Sequence, residues 1–114
     1  MIDSNLLGNM MTELRRGTLT LAVLSQLENP QYGYSLLQRL EKKGVQIEAN
    51  TLYPLMRRLE SQGLLDNRWD TSSARPRKYY VLNDNGRGVF EALKQEWTKT
   101  CDGINGLIGR KTIE

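Results

Sequence analysis

Between Leu52 and Leu82 the apolar pattern changes its period, and few small folds accommodate that change. Leu52, Leu55, Met56 and Leu59 stand at i, i+3, i+4 and i+7, the stripe of an amphipathic helix. The spacing predicts a helix from Ala49 to Gln62 that ends at Gly63. Asn50 or Thr51 can cap it, which puts Pro54 in the first turn, where a missing N–H costs little. Beyond Gly63 the helical spacing stops. Leu64, Leu65 and Trp69 make one short run, and Arg77-Lys78-Tyr79-Tyr80-Val81-Leu82 makes a second, rich in β-formers. The polar stretch Asp70-Thr71-Ser72-Ser73-Ala74 separates them, so the two runs predict a β-hairpin.

Upstream, two more helices are expected. Leu6, Leu7, Met10, Met11 and Leu14 recur at helical spacing and continue into Leu21, Ala22, Leu24 and Leu27. This predicts a first helix from about Met10 to Leu27, with Gly17 as its weak point. Pro30 breaks it. A second helix follows from about Tyr34 to Lys43, with Leu36, Leu37 and Leu40 inward and Gly44 where a left-handed cap belongs. Downstream, Asn83 or Asp84 starts a long last helix. In it Phe90, Leu93, Trp97, Thr100, Ile104 and Leu107 alternate spacings of 3 and 4, a heptad seam with one polar step.

Three helices followed by a hairpin is the order of a winged helix-turn-helix. The expected fold is therefore mainly α with a small β-hairpin, plus a long C-terminal helix for dimerisation. Residues 1–82 form the DNA-binding part and 83–114 the dimerisation helix in this reading. Gly103, Gly106 and Gly109 lower helix propensity near its end, which implies either fraying or very close packing.

Composition narrows the chemistry. The 114 residues contain no histidine and one cysteine, Cys101. No histidine-dependent nucleophile can be built, a zinc site has at most one soft ligand per chain, and an intrachain disulfide is excluded. No cofactor, metal site or catalytic residue is expected. No apolar run is long enough to span a bilayer and the first nine residues lack signal-peptide character, so the expectation is a cytoplasmic protein with no membrane partner.

The formal charge of +3 is unevenly placed. Arg57, Arg58, Arg68, Arg75, Arg77 and Lys78 outnumber Glu60, Asp66 and Asp70 by three, and the rest of the chain is neutral. A solvated surface would account for such a cluster. So would DNA, provided the fold presents it. In a helix-turn-helix the second helix of the pair enters the major groove. The polar side of the 49–62 helix carries Asn50, Tyr53, Pro54 and Arg57, with Thr51 at its start. Asn pairs with adenine, Thr and Tyr offer hydroxyls, and Arg57 can reach phosphate or guanine. Arg58 lies nearer the apolar edge, as a structural group or a phosphate contact. Arg75, Arg77 and Lys78 belong to the hairpin, which in a winged helix lies over the neighbouring groove or backbone.

Several segments together resemble the PadR-type transcriptional regulators. Tyr32-Gly33-Tyr34-Ser35-Leu36-Leu37 resembles the start of their second helix. Asn50-Thr51-Leu52-Tyr53-Pro54-Leu55, with Arg58-Leu59-Glu60-Ser61-Gln62-Gly63-Leu64-Leu65, is similar to their recognition helix and its exit. Arg77-Lys78-Tyr79-Tyr80-Val81-Leu82 looks like their returning wing strand. Asn83-Asp84-Asn85-Gly86 departs from the usual threonine and charged pair but keeps a capping side chain.

The resemblance implies a bacterial homodimer that binds an inverted repeat in double-stranded DNA and represses transcription. It also implies that the single C-terminal helix crosses the partner's N-terminal helix, which adds Leu7, Met10 and Met11 to the seam residues as dimer contacts. In some members of the smaller subgroup, flat aromatic ligands stack on tryptophan at this interface, and Trp97 occupies the matching place. Plain packing is the alternative for Trp97. Cys101, beside the seam, is either a small apolar filler or a redox group. The other functional reading is a winged-helix interaction module without specific DNA binding. An enzymatic reading finds no supporting constellation.

Overall fold

The computed structural model describes residues 1–110; the last part of the expected C-terminal segment, 111–114, lies outside them. The expected single N-terminal helix is two, α1 (Ser4–Arg16) and α2 (Thr18–Ser25). Asp3 caps α1, its carboxylate accepting from the Asn5 and Leu6 amides at 2.9 and 3.3 Å. Gly17 is the joint: it has low helix propensity, and the neighbouring Thr18 hydroxyl takes the Arg15 carbonyl at 2.7 Å.

Strand β1 (Gln31–Tyr32) leads directly into α3 (Gly33–Lys42), which buries Leu36 and Leu40. Gly44 has φ +81° and closes α3, with the Val45 amide donating to the Leu40 carbonyl at 2.9 Å. Helix α4 (Ala49–Ser61) buries the four expected residues, Leu52, Leu55, Met56 and Leu59. Gly63, also at φ +81°, closes it.

Helix α4 starts at Ala49 as expected, but its capping residue and the place of Pro54 differ. The capping residue is Glu48, whose side chain makes no cap bond. Its carbonyl accepts from the Thr51 and Leu52 amides, both at 2.9 Å. Asn50 and Thr51 therefore lie inside the first turn. Pro54 is in the second turn, where the missing N–H leaves the Asn50 carbonyl without its usual ladder donor.

Strands β2 (Leu65–Asp70) and β3 (Arg77–Leu82) form the hairpin, in register from Leu65↔Leu82 to Asp70↔Arg77. β1 adds a third strand beside β3, with Tyr32 opposite Tyr79. Two residues carry no periodicity, so the sequence offers no sign of it. Leu65, Tyr80 and Leu82 face the core, where they join Leu24, Leu27 and the buried faces of α3 and α4. The opposite face carries Arg68, Tyr79 and Tyr32; the two tyrosine rings meet edge to face at 5.3 Å.

Helix α5 (Asp84–Ile108) begins where the capping pattern places it. The Asn83 side chain accepts from the Gly86 amide at 2.8 Å and donates to the Gly63 carbonyl at 3.0 Å, tying α5 to the end of α4. The helix passes through Gly103 and Gly106, which touch nothing on their open sides, and ends at Gly109. Its free length stretches the molecule. The radius of gyration is 16.6 Å, against about 13 Å for a compact domain of this length.

Candidate nucleic-acid interface

The exposed side of α4 has a centre and two flanks. Asn50, Pro54, Arg57 and Ser61 form the centre, all exposed. Thr51 and Arg58 form the flank toward α1 and α2. There a groove of about 530 Å³ is lined by Arg16, Leu19, Thr20, Asn50, Thr51, Pro54, Leu55 and Arg58. Arg16 is 33 positions before the first residue of α4, and nothing in the sequence links them. Arg16, Arg57 and Arg58 have no acidic partner among the described residues.

Tyr53 and Glu60 form the other flank, toward α3 and the sheet. Tyr53 is half-buried, and its ring lies over Gly33. Glu60 is engaged on both oxygens. Lys78 Nζ donates to Oε1 at 3.0 Å, and the Asn67 amide donates to Oε2. The Asn67 bond is the largest cause holding the Glu60 carboxyl below its ordinary range, and Lys78 adds to it. The same pairing raises Lys78, first through its bond to Glu60. Lys78 also lies 4.9 Å from the centre of the Tyr80 ring. Its ammonium thus joins the hairpin to α4 and neutralises the one carboxylate on this flank.

The hairpin loop is ordered by its own side chains. Asp70 Oδ1 accepts from the Ser72 hydroxyl at 2.6 Å and the Ser72 amide at 2.9 Å, which together hold the Asp70 carboxyl below its usual range. The Ser73 hydroxyl donates to the Arg75 carbonyl at 2.9 Å. The Arg75 side chain is exposed and makes no bond among the described residues. Arg77 is exposed too, with its guanidinium 5.1 Å from the centre of the Tyr32 ring.

The expected seam residues fall on two apolar helix faces. α1 buries no residue: Leu7, Met10 and Met11 are open to solvent. On α5, Leu93, Trp97, Thr100, Ile104 and Leu107 are exposed, while Phe90 packs partly against the core of its own chain. Where α1 ends, a mostly apolar groove of about 830 Å³ runs between α2 and α5. Leu14, Leu21, Ala22, Val45, Trp97, Thr100, Cys101 and Ile104 are among its lining residues. Its size suits a small aromatic molecule. Among the described residues no group of carboxylates and cysteine could hold a metal, and no helix is long and apolar enough to cross a membrane.

Comparison with known proteins adds to this geometry. The profile of the family described as Transcriptional regulator PadR-like matches residues 20–92. The chain is 33% identical over 107 residues to Transcriptional regulator Rv3488 of Mycobacterium tuberculosis, covering 90% of this chain and 100% of that protein. A solved PadR family transcriptional regulator from Eggerthella lenta superposes with a TM-score of 0.85 at 52% identity, over 91% of this chain and 93% of that one. Bacillus subtilis PadR in complex with operator DNA gives a TM-score of 0.61 at 20% identity, over 66% of this chain and 45% of that one. That last likeness is one of fold alone.

Proposed function

The chain belongs to the PadR-like family of transcriptional regulators, and from that membership we propose that it acts in the cytoplasm as a homodimeric repressor on an inverted-repeat operator. PadR-like proteins are regulators, not enzymes, so the work lies in binding. The observation that carries the reading is a set of exposed, unpaired cations on α4 and on the hairpin joined to it. The exposed centre of α4 is accompanied by a hairpin that Lys78 ties to it through Glu60, and neither Arg57 nor Arg75 has an acidic partner among the described residues.

In this reading α4 enters the major groove. Asn50 and Thr51 meet base edges, and Pro54 keeps the helix surface low enough for close approach. Arg57, Arg75 and Arg77 neutralise phosphates, with the Tyr53 hydroxyl beside them. Lys78 contributes from its pair with Glu60, which removes a carboxylate that would repel the backbone. A second protomer covers the apolar faces of α1 and α5, placing two copies of α4 on successive half-sites. Trp97 and the groove beside it then offer a site for a planar aromatic effector at the interface.

Selection of bound duplexes from a random pool tests the whole reading. A palindromic consensus is the expected result. Failure to enrich any duplex at low salt would overturn it and leave the fold as a protein-interaction scaffold.

A further inference from the structure

Gly33 is the first residue of α3 and is buried, yet it has no need of glycine's backbone freedom. The positive-φ glycines are Gly44, Gly63 and Gly109. What singles out Gly33 is the space beside it. A Cβ built there would stand 2.0 Å from Cε1 of Tyr53 and 2.9 Å from Cδ1 and Cζ, against an ordinary contact of 3.4–4 Å. The Tyr53 ring occupies the volume that any other residue at position 33 would fill.

Tyr53 itself is not a core residue. It lies outside the buried cluster, half-exposed on the flank of α4 that faces the wing. Its hydroxyl has no hydrogen-bond partner among the described residues, and it is not among buried polar atoms lacking one, so water reaches it. A phenol whose ring is fixed against backbone while its hydroxyl stays open is a preorganised donor. Fixing the ring in advance spares the ordering cost that a free side chain meets on binding.

We propose that Gly33 is a positioning residue for DNA binding, the seat against which the Tyr53 ring rests so that its free hydroxyl meets a phosphate at the wing-side edge of α4. This deepens the DNA-binding reading above and rests on it. The two helices of the helix-turn-helix are thereby matched by one missing methyl group.

The test compares Gly33→Ala, Tyr53→Phe and the double variant of the full chain, titrated by fluorescence anisotropy against the duplex recovered from the random pool. Thermal unfolding of each is measured alongside. Alanine suits a helix start, and the clash falls on a ring that can swing outward, so Gly33→Ala is expected to keep its melting temperature. Tyr53→Phe is expected to weaken binding of the dimer about a hundredfold, about tenfold for the one hydrogen bond to a charged group lost in each protomer. Gly33→Ala should lose a similar factor, and the double variant no more than either single one, because a displaced hydroxyl has nothing left to lose.

If Tyr53→Phe weakens binding and Gly33→Ala does not, the seat is refuted while the DNA contact stands. Additive losses would show Gly33 acting by another route and refute it as well. A lowered melting temperature or failure to fold for Gly33→Ala makes Gly33 a packing residue and overturns the proposal. Unchanged binding for Tyr53→Phe removes the contact on which it rests. Failure to recover any duplex is the distinct failure of the DNA-binding reading itself.

Discussion

Arg75→Ala isolates the electrostatic part of the proposed interface, because the structure gives this side chain nothing else to do. It is exposed, and the bond at position 75 runs from the Ser73 hydroxyl to the backbone carbonyl, which alanine retains. Folding stability should therefore stay within about 0.5 kcal/mol of the parent. If Arg57, Arg75 and Arg77 each neutralise one phosphate in both protomers, the dimer releases counterions from about six, and log K falls against log salt with a slope of about −5. Removing two of these contacts brings the slope to between about −3 and −4. From about 50 to 200 mM salt the parent then loses roughly three decades of affinity and the variant roughly two, so the gap between them narrows about tenfold. Anisotropy titrations of the selected duplex at five salt concentrations measure this directly. A loss of affinity with an unchanged slope would show that Arg75 acts through loop conformation, and an unchanged affinity at low salt would take the wing off the DNA.

The Glu60 carboxylate, held low by Asn67 and then Lys78, contributes stability that is present above the usual carboxylate range and is lost as pH falls through its depressed value. Glu60→Gln should flatten the acid limb of the melting-temperature profile and cost about 0.5 kcal/mol at neutrality, as expected of a partly exposed pair; an unaltered acid limb would refute the pairing. With Trp69, which is 60% exposed, replaced by phenylalanine, a planar aromatic compound bound in the α2–α5 groove should quench the remaining Trp97 emission, and Trp97→Ala should abolish its binding in calorimetry. Unchanged emission across a panel of such compounds would leave Trp97 to packing. The melting temperature of the parent protein should rise with protein concentration, as association of folded chains requires, and a flat profile would refute the dimer.

Much of the fold was legible because local signals agree with the global one. The stripes of α3, α4 and α5, the glycines at 44 and 63, and Asn83 at the start of α5 were each set by neighbours within one or two turns. The cap of α4 was not. Asn50 and Thr51 are both good caps by type, but Glu48 is the extended residue before the helix, and Asn50 and Thr51 fall inside its first turn. With Glu48 as the cap, Pro54 falls in the second turn. Two-residue β1 exists only because β3 offers it a free edge, information carried by positions nearly fifty residues away. The candidate site shows the same division. Its cationic and polar residues were visible as a local excess of charge, whereas three of its relations were not: Lys78 to Glu60, Arg16 to Arg58, and Gly33 to Tyr53. Each joins residues at least eighteen positions apart. Composition can flag such residues, but only packing decides which of them meet.

The apolar faces of α1 and α5 bear on the proposed dimer by a separate line of reasoning. A thirteen-residue helix that buries no side chain among the described residues has little to stabilise it beyond an N-cap, and isolated helices of that length are marginal in water. Met10, Met11 and Leu14 nevertheless keep helical spacing on an exposed face, as they would if another surface normally covers them. The apolar face of α5 offers that surface, at a radius of gyration about 3 Å beyond that of a compact domain. In the proposed assembly α1 ends beside both grooves. Leu14 and Arg15 border the one that holds Trp97, and Arg16 borders the one beside Asn50 and Arg58. Gly17 lies immediately after, with open space where a Cβ would stand. In that proposed assembly a molecule in the Trp97 groove and a duplex beside Asn50 would both border the end of α1.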